Sequence, residues 1–124
     1  MAVIAVVIPA YRVARQIVAL IARIPPLVTR IIVVDDACPE HSGELVRQQV
    51  SDPRLQLIFH AENQGVGGAV ISGVRAALDG GADVVVKLDG DAQYDPELIP
   101  YLVQPILDGV ADVTKGNRFF FLED

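Results

Sequence analysis

Apolar residues in this chain follow two alternating patterns: short unbroken runs rich in β-branched residues, and longer segments in which apolar positions recur three or four apart. Val3 to Ile8 is the first unbroken run, ended by Pro9, and reads as a strand buried on both faces. Val13, Ile17, Leu20, Ile21 and Ile24 follow at helical spacing until Pro25-Pro26 stops them. A second strand, Ile31 to Val34, runs straight into Asp35-Asp36. Pro39, Ser42 and Glu44 then open a helix that ends at the Asp52-Pro53 break, and Leu55 to Phe59 is the third strand. Asn63 to Ala69 reads as a flexible glycine-rich loop, leading into a helix of small residues that carries Val70, Val74, Ala77 and Leu78 and closes at Gly80-Gly81. Val84 to Leu88 is the fourth strand. Asp95 caps the next helix, with Pro96 at its first position; Pro105 is expected to kink or shorten it and Gly109 to end it. A fifth strand is expected over Val110 to Lys115, before the aromatic run Phe119-Phe120-Phe121.

Strands alternating with helices imply right-handed crossovers, so the expected fold class is α/β: a Rossmann-like, mainly parallel sheet with helices on both faces and strand order 3-2-1-4. Ligands bind such sheets beyond the carboxyl ends of the strands, where the winding reverses, here between strands one and four. Three polar clusters fall at those ends: Pro9-Ala10-Tyr11, Asp35-Asp36 and Asp89-Gly90-Asp91.

Composition narrows what these clusters can serve. The chain has 124 residues, one domain or part of one, and although 52% of it is apolar, no run approaches the roughly 18 to 20 apolar residues of a membrane span. No basic segment precedes the first strand, which disfavours a secretory leader and points to the cytoplasm. Cys38 is the single cysteine, so neither an internal disulfide nor a cysteine metal site can be drawn. A net charge of −6 disfavours nucleic acid as a partner, so a phosphate ligand must be held locally.

Asp89 and Asp91 flank a glycine at a strand end. Two carboxylates so close either share a proton or share a cation, and a hard divalent ion that keeps positions open for substrate phosphates satisfies both. A solvated turn is the ordinary alternative for so common a tripeptide. Asp36, an acceptor when ionised, is placed to meet donors of a base or ribose; alternatively Asp35 and Asp36 only cap the following loop. Asn63 and Gly65 shape a loop that approaches the ligand, and Gly67-Gly68 either do the same or allow tight helix-sheet packing. The dinucleotide fingerprint is absent: Val70 stands where its third glycine belongs. Lys115 and Arg118 are either diphosphate counter-charges or solvated surface. His41 and His60 lack metal-ligand spacing and read as structural or surface residues.

Taken together, Val6-Val7-Ile8-Pro9-Ala10-Tyr11, Ile32-Val33-Val34-Asp35-Asp36, Asn63-Gln64-Gly65, Asp89-Gly90-Asp91-Ala92-Gln93 and Gly116-Asn117-Arg118 resemble, in family order, the N-terminal nucleotide-binding half of family 2 glycosyltransferases with the GT-A fold. The form of the acidic motif is most similar to the dolichyl or polyprenyl phosphate mannosyl and glucosyl transferases. The resemblance implies a donor pocket for a UDP- or GDP-hexose formed by Pro9, Ala10, Tyr11 and Asp36, with Asp36 on the base. It implies Asp89 and Gly90 near the ribose, Asp91 together with Asp89 on Mg2+ or Mn2+, and Gln93 and Arg118 toward the phosphates or acceptor. Residues 1–124 would then be the donor-binding part of an incomplete GT-A domain, unable to turn over alone. The acceptor half and the base for a hydroxyl acceptor would lie beyond Asp124. A polyprenyl phosphate acceptor would bring the full protein to the cytoplasmic membrane face. The aromatic run is either a strand whose partner lies elsewhere or a sticky surface left by an incomplete domain, open to a second copy of the chain.

Two other classes use similar residues. A response-regulator receiver domain has the length and the acidic pair, but its pair follows strand one; a haloacid-dehalogenase-like phosphatase carries its Asp-x-Asp on strand one. The first leaves Pro9-Ala10-Tyr11 unexplained, and the second usually has Thr or Val two residues after the second Asp, where this chain has Gln93.

Overall fold

The computed structural model describes residues 2–90, 95–107 and 118–122, with residues 102, 105–107 and 118–122 described by their backbone. The elements run β1 (Ile4–Ala10), α1 (Ile17–Ala22), β2 (Arg30–Asp35), α2 (Ser42–Gln49), β3 (Leu55–Phe59), α3 (Gly65–Asp79), β4 (Val84–Leu88), a 3₁₀ turn (Pro96–Leu98), α4 (Ile99–Leu107) and β5 (Arg118–Leu122). All pairings are parallel and the sheet order is β3-β2-β1-β4-β5, so the expected 3-2-1-4 core is present. A receiver domain is wound 2-1-3-4-5, and this order excludes it.

Period-two alternation divides the core between the two faces of the sheet. Ile4, Val6, Ile8, Ile31, Val33, Val84 and Val86 pack with Ile17, Leu20 and Ile21 of α1, Val46 of α2, and Ile99 and Val103 of α4. Ala5, Val7, Ile32, Val34 and Val85 meet α3 through Ala69 and Ala77. Gly73 lies between those two alanines, and a Cβ there would stand 2.2 Å from Val7 Cγ1. This small-residue stripe lets α3 approach the sheet closely, a task expected of Gly67 and Gly68. A Cβ on Gly67 meets nothing, and one on Gly68 meets only Gln64.

Two elements depart from the expected pattern, and a third decides between two readings. β1 continues through Pro9 to Ala10. Even-numbered carbonyls of β1 face β2, as Ile4 and Ala10 accept from Thr29 and Asp36, whereas Val3 accepts from the amides of Asp83 and Val84 beside β4. Pro9 therefore turns its missing N–H toward β4, whose ladder with β1 has already ended at Val7 and Lys87, so no sheet bond is lost. Second, α3 starts at Gly65, and Gly65 to Ala69 are helix instead of loop, because Ala69 is buried against the sheet. Third, the aromatic run is β5, with Phe119, Phe120 and Phe121 opposite Val85, Val86 and Lys87. Pairing with β4 takes up the backbone of this apolar segment, so a second copy of the chain is not needed to account for it. The strand expected at Val110 to Lys115, and Gly109, fall outside the described residues. Asp95 does cap the turn at Pro96, accepting the Glu97 amide at 2.9 Å. Among the described residues no helix is long and apolar enough to cross a membrane.

Candidate functional site

The carboxyl ends of β1, β2 and β4 converge on one rim. There Pro9, Ala10, Tyr11, Val13, Asp36, Val66, Ala69, Asp89 and Gly90 line a cavity of about 200 Å³. Six of the residues singled out from sequence are thus gathered at one place: Pro9, Ala10, Tyr11, Asp36, Asp89 and Gly90. Gly90 has a steric reason to be there, since a Cβ would come within 2.9 Å of Val13 Cγ2. Tyr11 is 40% exposed, and the Arg12 guanidinium lies 5.4 Å from the centre of its ring.

The two aspartates after β2 are placed differently. Asp35 is a cap: it accepts the amides of Cys38 at 2.8 Å and Gly43 at 2.7 Å, tying the turn to the start of α2. Asp36 faces the cavity. The chain reverses immediately after it through a left-handed Ala37 (φ 54), a conformation that costs a non-glycine residue about 1 kcal/mol or more and holds the carboxylate at the rim. Cys38 packs between the first two turns, its Sγ accepting the Arg12 amide at 3.0 Å and lying 3.1 Å from Ser42 Oγ.

Behind Asp36, the β3–α3 connection closes around its carboxylate. Oδ1 takes hydrogen bonds from His60 Nδ1 and the Gln64 amide, both at 2.8 Å, while Asn63 Nδ2 donates to the Asp36 carbonyl at 3.0 Å. Burial pushes the Asp36 carboxyl up, but the His60 hydrogen bond and the amides of Gln64 and Gly65 outweigh it and hold the group below the usual carboxylate range. The N-terminus of the 15-residue α3 adds its positive end to the same point. Asp36 is therefore an ionised acceptor at neutral pH. Asn63 and Gly65 sit behind it and do not line the cavity.

Asp89 is partly exposed and pairs through Oδ1 with Lys87 Nζ at 3.1 Å. Lys87 is 7% exposed, a lysine buried in the fourth strand directly before the acidic motif. Asp91 and Gln93 lie outside the described residues. Among the described residues no group of three or more acidic, histidine or cysteine side chains could hold a metal. Among the described residues the acidic donor left open to a cation at the cavity edge is the partly exposed carboxylate of Asp89. That fits a cation completed by substrate oxygens and does not fit a closed protein cage.

Arg118 is not brought to this rim. It begins β5 opposite Val84, at the amino end of β4, and Asp89 follows the other end of that strand. Two contributors escaped sequence reasoning. Lys87 carried a visible signal, a lone charge inside an apolar run. His60 carried none, because nothing local ties it to an aspartate just beyond the neighbouring strand.

The family model described as glycosyl transferase family 2 matches residues 5–124. An undecaprenyl-phosphate mannosyltransferase of Micrococcus luteus is 35% identical over 89 residues, covering 71% of this chain and 36% of its own length. A dolichol-phosphate mannosyltransferase of Pyrococcus furiosus is 32% identical over 120 residues, covering 94% of this chain and 33% of its own. The chain thus spans about a third of the length of the curated relatives it matches. Among solved structures, S. aureus TarS 1-349 in complex with UDP superposes with a TM-score of 0.62 at 17% identity, over 86% of this chain and 32% of that one, a likeness of fold.

Proposed function

This chain belongs to glycosyl transferase family 2, and from that premise we propose that it is the donor-binding part of an inverting, metal-dependent glycosyltransferase. Its donor is a UDP- or GDP-hexose and its acceptor a polyprenyl phosphate. The observation that carries the reading is the meeting of Asp36 and Asp89, from strands on either side of β1, in one cavity floored by Pro9, Ala10 and Gly90. At about 200 Å³ the cavity is below the ~300 Å³ of a complete small-molecule site, so it takes the nucleoside while the diphosphate and sugar lie over the open rim. Relatives named for undecaprenyl phosphate and dolichol phosphate acceptors support the acceptor class.

In this reading ionised Asp36 accepts a hydrogen bond from the base, and Asp89 accepts from the ribose. Lys87 offsets the charge of Asp89, and Arg12, exposed at the same rim, faces the diphosphate. A divalent Mg2+ or Mn2+ held by Asp91 and Asp89 would supply positive charge to the departing diphosphate. Transfer is a single displacement: an acceptor phosphate oxygen forms the bond to the anomeric carbon while the bond to the diphosphate oxygen breaks. The nucleoside diphosphate leaves with the electron pair. A lipid phosphate, with a second pKa near roughly 6, is already ionised and needs no general base.

Titration of the protein with UDP and GDP, with and without Mn2+, tests this. One of the two should bind and raise the melting temperature, more so with Mn2+; saturation at 100 times Kd corresponds to about 2.7 kcal/mol. No shift with either nucleotide at millimolar concentration would sink the proposal.

A further inference from the structure

We propose that His60 is a positioning residue for base recognition, and that through it the site selects bases with a ring N–H donor, uracil N3–H or guanine N1–H, over cytosine or adenine. This rests on the nucleotide-binding reading above. The geometry is a buried relay: His60 Nδ1 lies 2.8 Å from Asp36 Oδ1, and His60 Nε2 lies 2.8 Å from Ser72 Oγ on α3. The side chains of His60 and Asp36 are only 6% and 4% exposed. An ionised carboxylate can only accept, so Nδ1 must carry a proton. With neutral imidazole, Nε2 then accepts from the Ser72 hydroxyl, which fixes the tautomer and the ring.

The consequence falls on Asp36. Two donors, His60 and the Gln64 amide, occupy Oδ1. A ligand in the cavity must therefore be met by Oδ2, held in one orientation by the locked ring. A fixed acceptor rewards a ring N–H donor; it opposes cytosine N3 and adenine N1, which are themselves acceptors. If the ring were lost, the carboxylate could rotate and the discrimination would fall.

Two substitutions separate positioning from packing. Asparagine can place its amide nitrogen near the position of Nδ1, and glutamine near that of Nε2. H60N should keep the wild-type preference for UDP or GDP over CDP and ADP within about threefold. H60Q, which retains the Ser72 contact but not the one to Asp36, should weaken the preferred nucleotide about tenfold and leave CDP and ADP unchanged. Affinities are read by calorimetry, with melting curves to confirm folding. H60Q weakening all four nucleotides equally, or H60N losing the preference as H60Q does, overturns this inference alone. Failure of the wild-type protein to bind any nucleoside diphosphate overturns the functional reading and this inference with it.

Discussion

Asp36→Asn is expected to weaken UDP or GDP binding by roughly 10- to 100-fold, the equivalent of a hydrogen bond to a charged group worth about 1.5–3 kcal/mol. The substitution is sterically silent. The amide oxygen can still accept from His60 and the Gln64 amide, as Oδ1 does now. The amide nitrogen then occupies the place of Oδ2 and offers a donor to a base that also offers a donor. For CDP the sign reverses, because cytosine N3 is an acceptor, so its affinity should rise as that of UDP falls. Some stability goes as well: the N-terminus of α3 loses the anion that complements it, about 0.3–1 kcal/mol. Calorimetry against UDP, GDP and CDP, alongside melting curves, separates the two effects. Unchanged affinity for all three would remove Asp36 from the site.

The largest effect on folding is expected at Gly73. Gly73→Ala would normally stabilise a helix interior by about 1 kcal/mol. Here the new methyl would stand 2.2 Å from Val7 Cγ1, with Val7 Cγ2 at 3.2 Å and Val34 Cγ2 at 3.3 Å. Val7 and Val34 are fully buried, so neither side chain has open space to move into. The whole of α3 must lift from the sheet. We expect a loss of about 1–3 kcal/mol in chemical denaturation, more for Gly73→Leu. Nucleotide affinity should fall too, because Val66 and Ala69 of the same helix line the cavity. Val7→Ala removes both offending methyls. Combined with Gly73→Ala it should cost less than the sum of the single changes, a coupling expected between contacting residues. Stabilisation by Gly73→Ala alone would show that α3 is not so tightly seated.

The sequence was most legible where one physical constraint acted alone. Leu55–Phe59 and Val84–Leu88 match the expected strands residue for residue, since turn or helix signals bound them on both sides. The 3-2-1-4 order is the one a Rossmann-like alternation of strands and helices leads to expect, and that order places Pro9, Asp36 and Asp89 on one rim. What escaped notice depended on neighbours. Pro9 looks like a strand breaker until it is clear that its ladder partner has already ended. Gly65 to Ala69 look like loop until Ala69 is seen to be buried against the sheet. His60 looks idle because its partner lies just beyond the adjacent strand. Arg118 was placed near the phosphates by motif order, and the β4–β5 register sets it opposite Val84 instead.

A crystal structure of the protein with Mn2+ and whichever of UDP or GDP binds is the most direct test. The base should lie in the cavity with uracil N3 or guanine N1 about 3 Å from Asp36 Oδ2, the ribose beside Asp89, and the diphosphate over the ends of β1 and β4. A nucleotide seated instead in the separate hollow beside Phe59, Pro39 and Glu44, with Asp36 untouched, would contradict it.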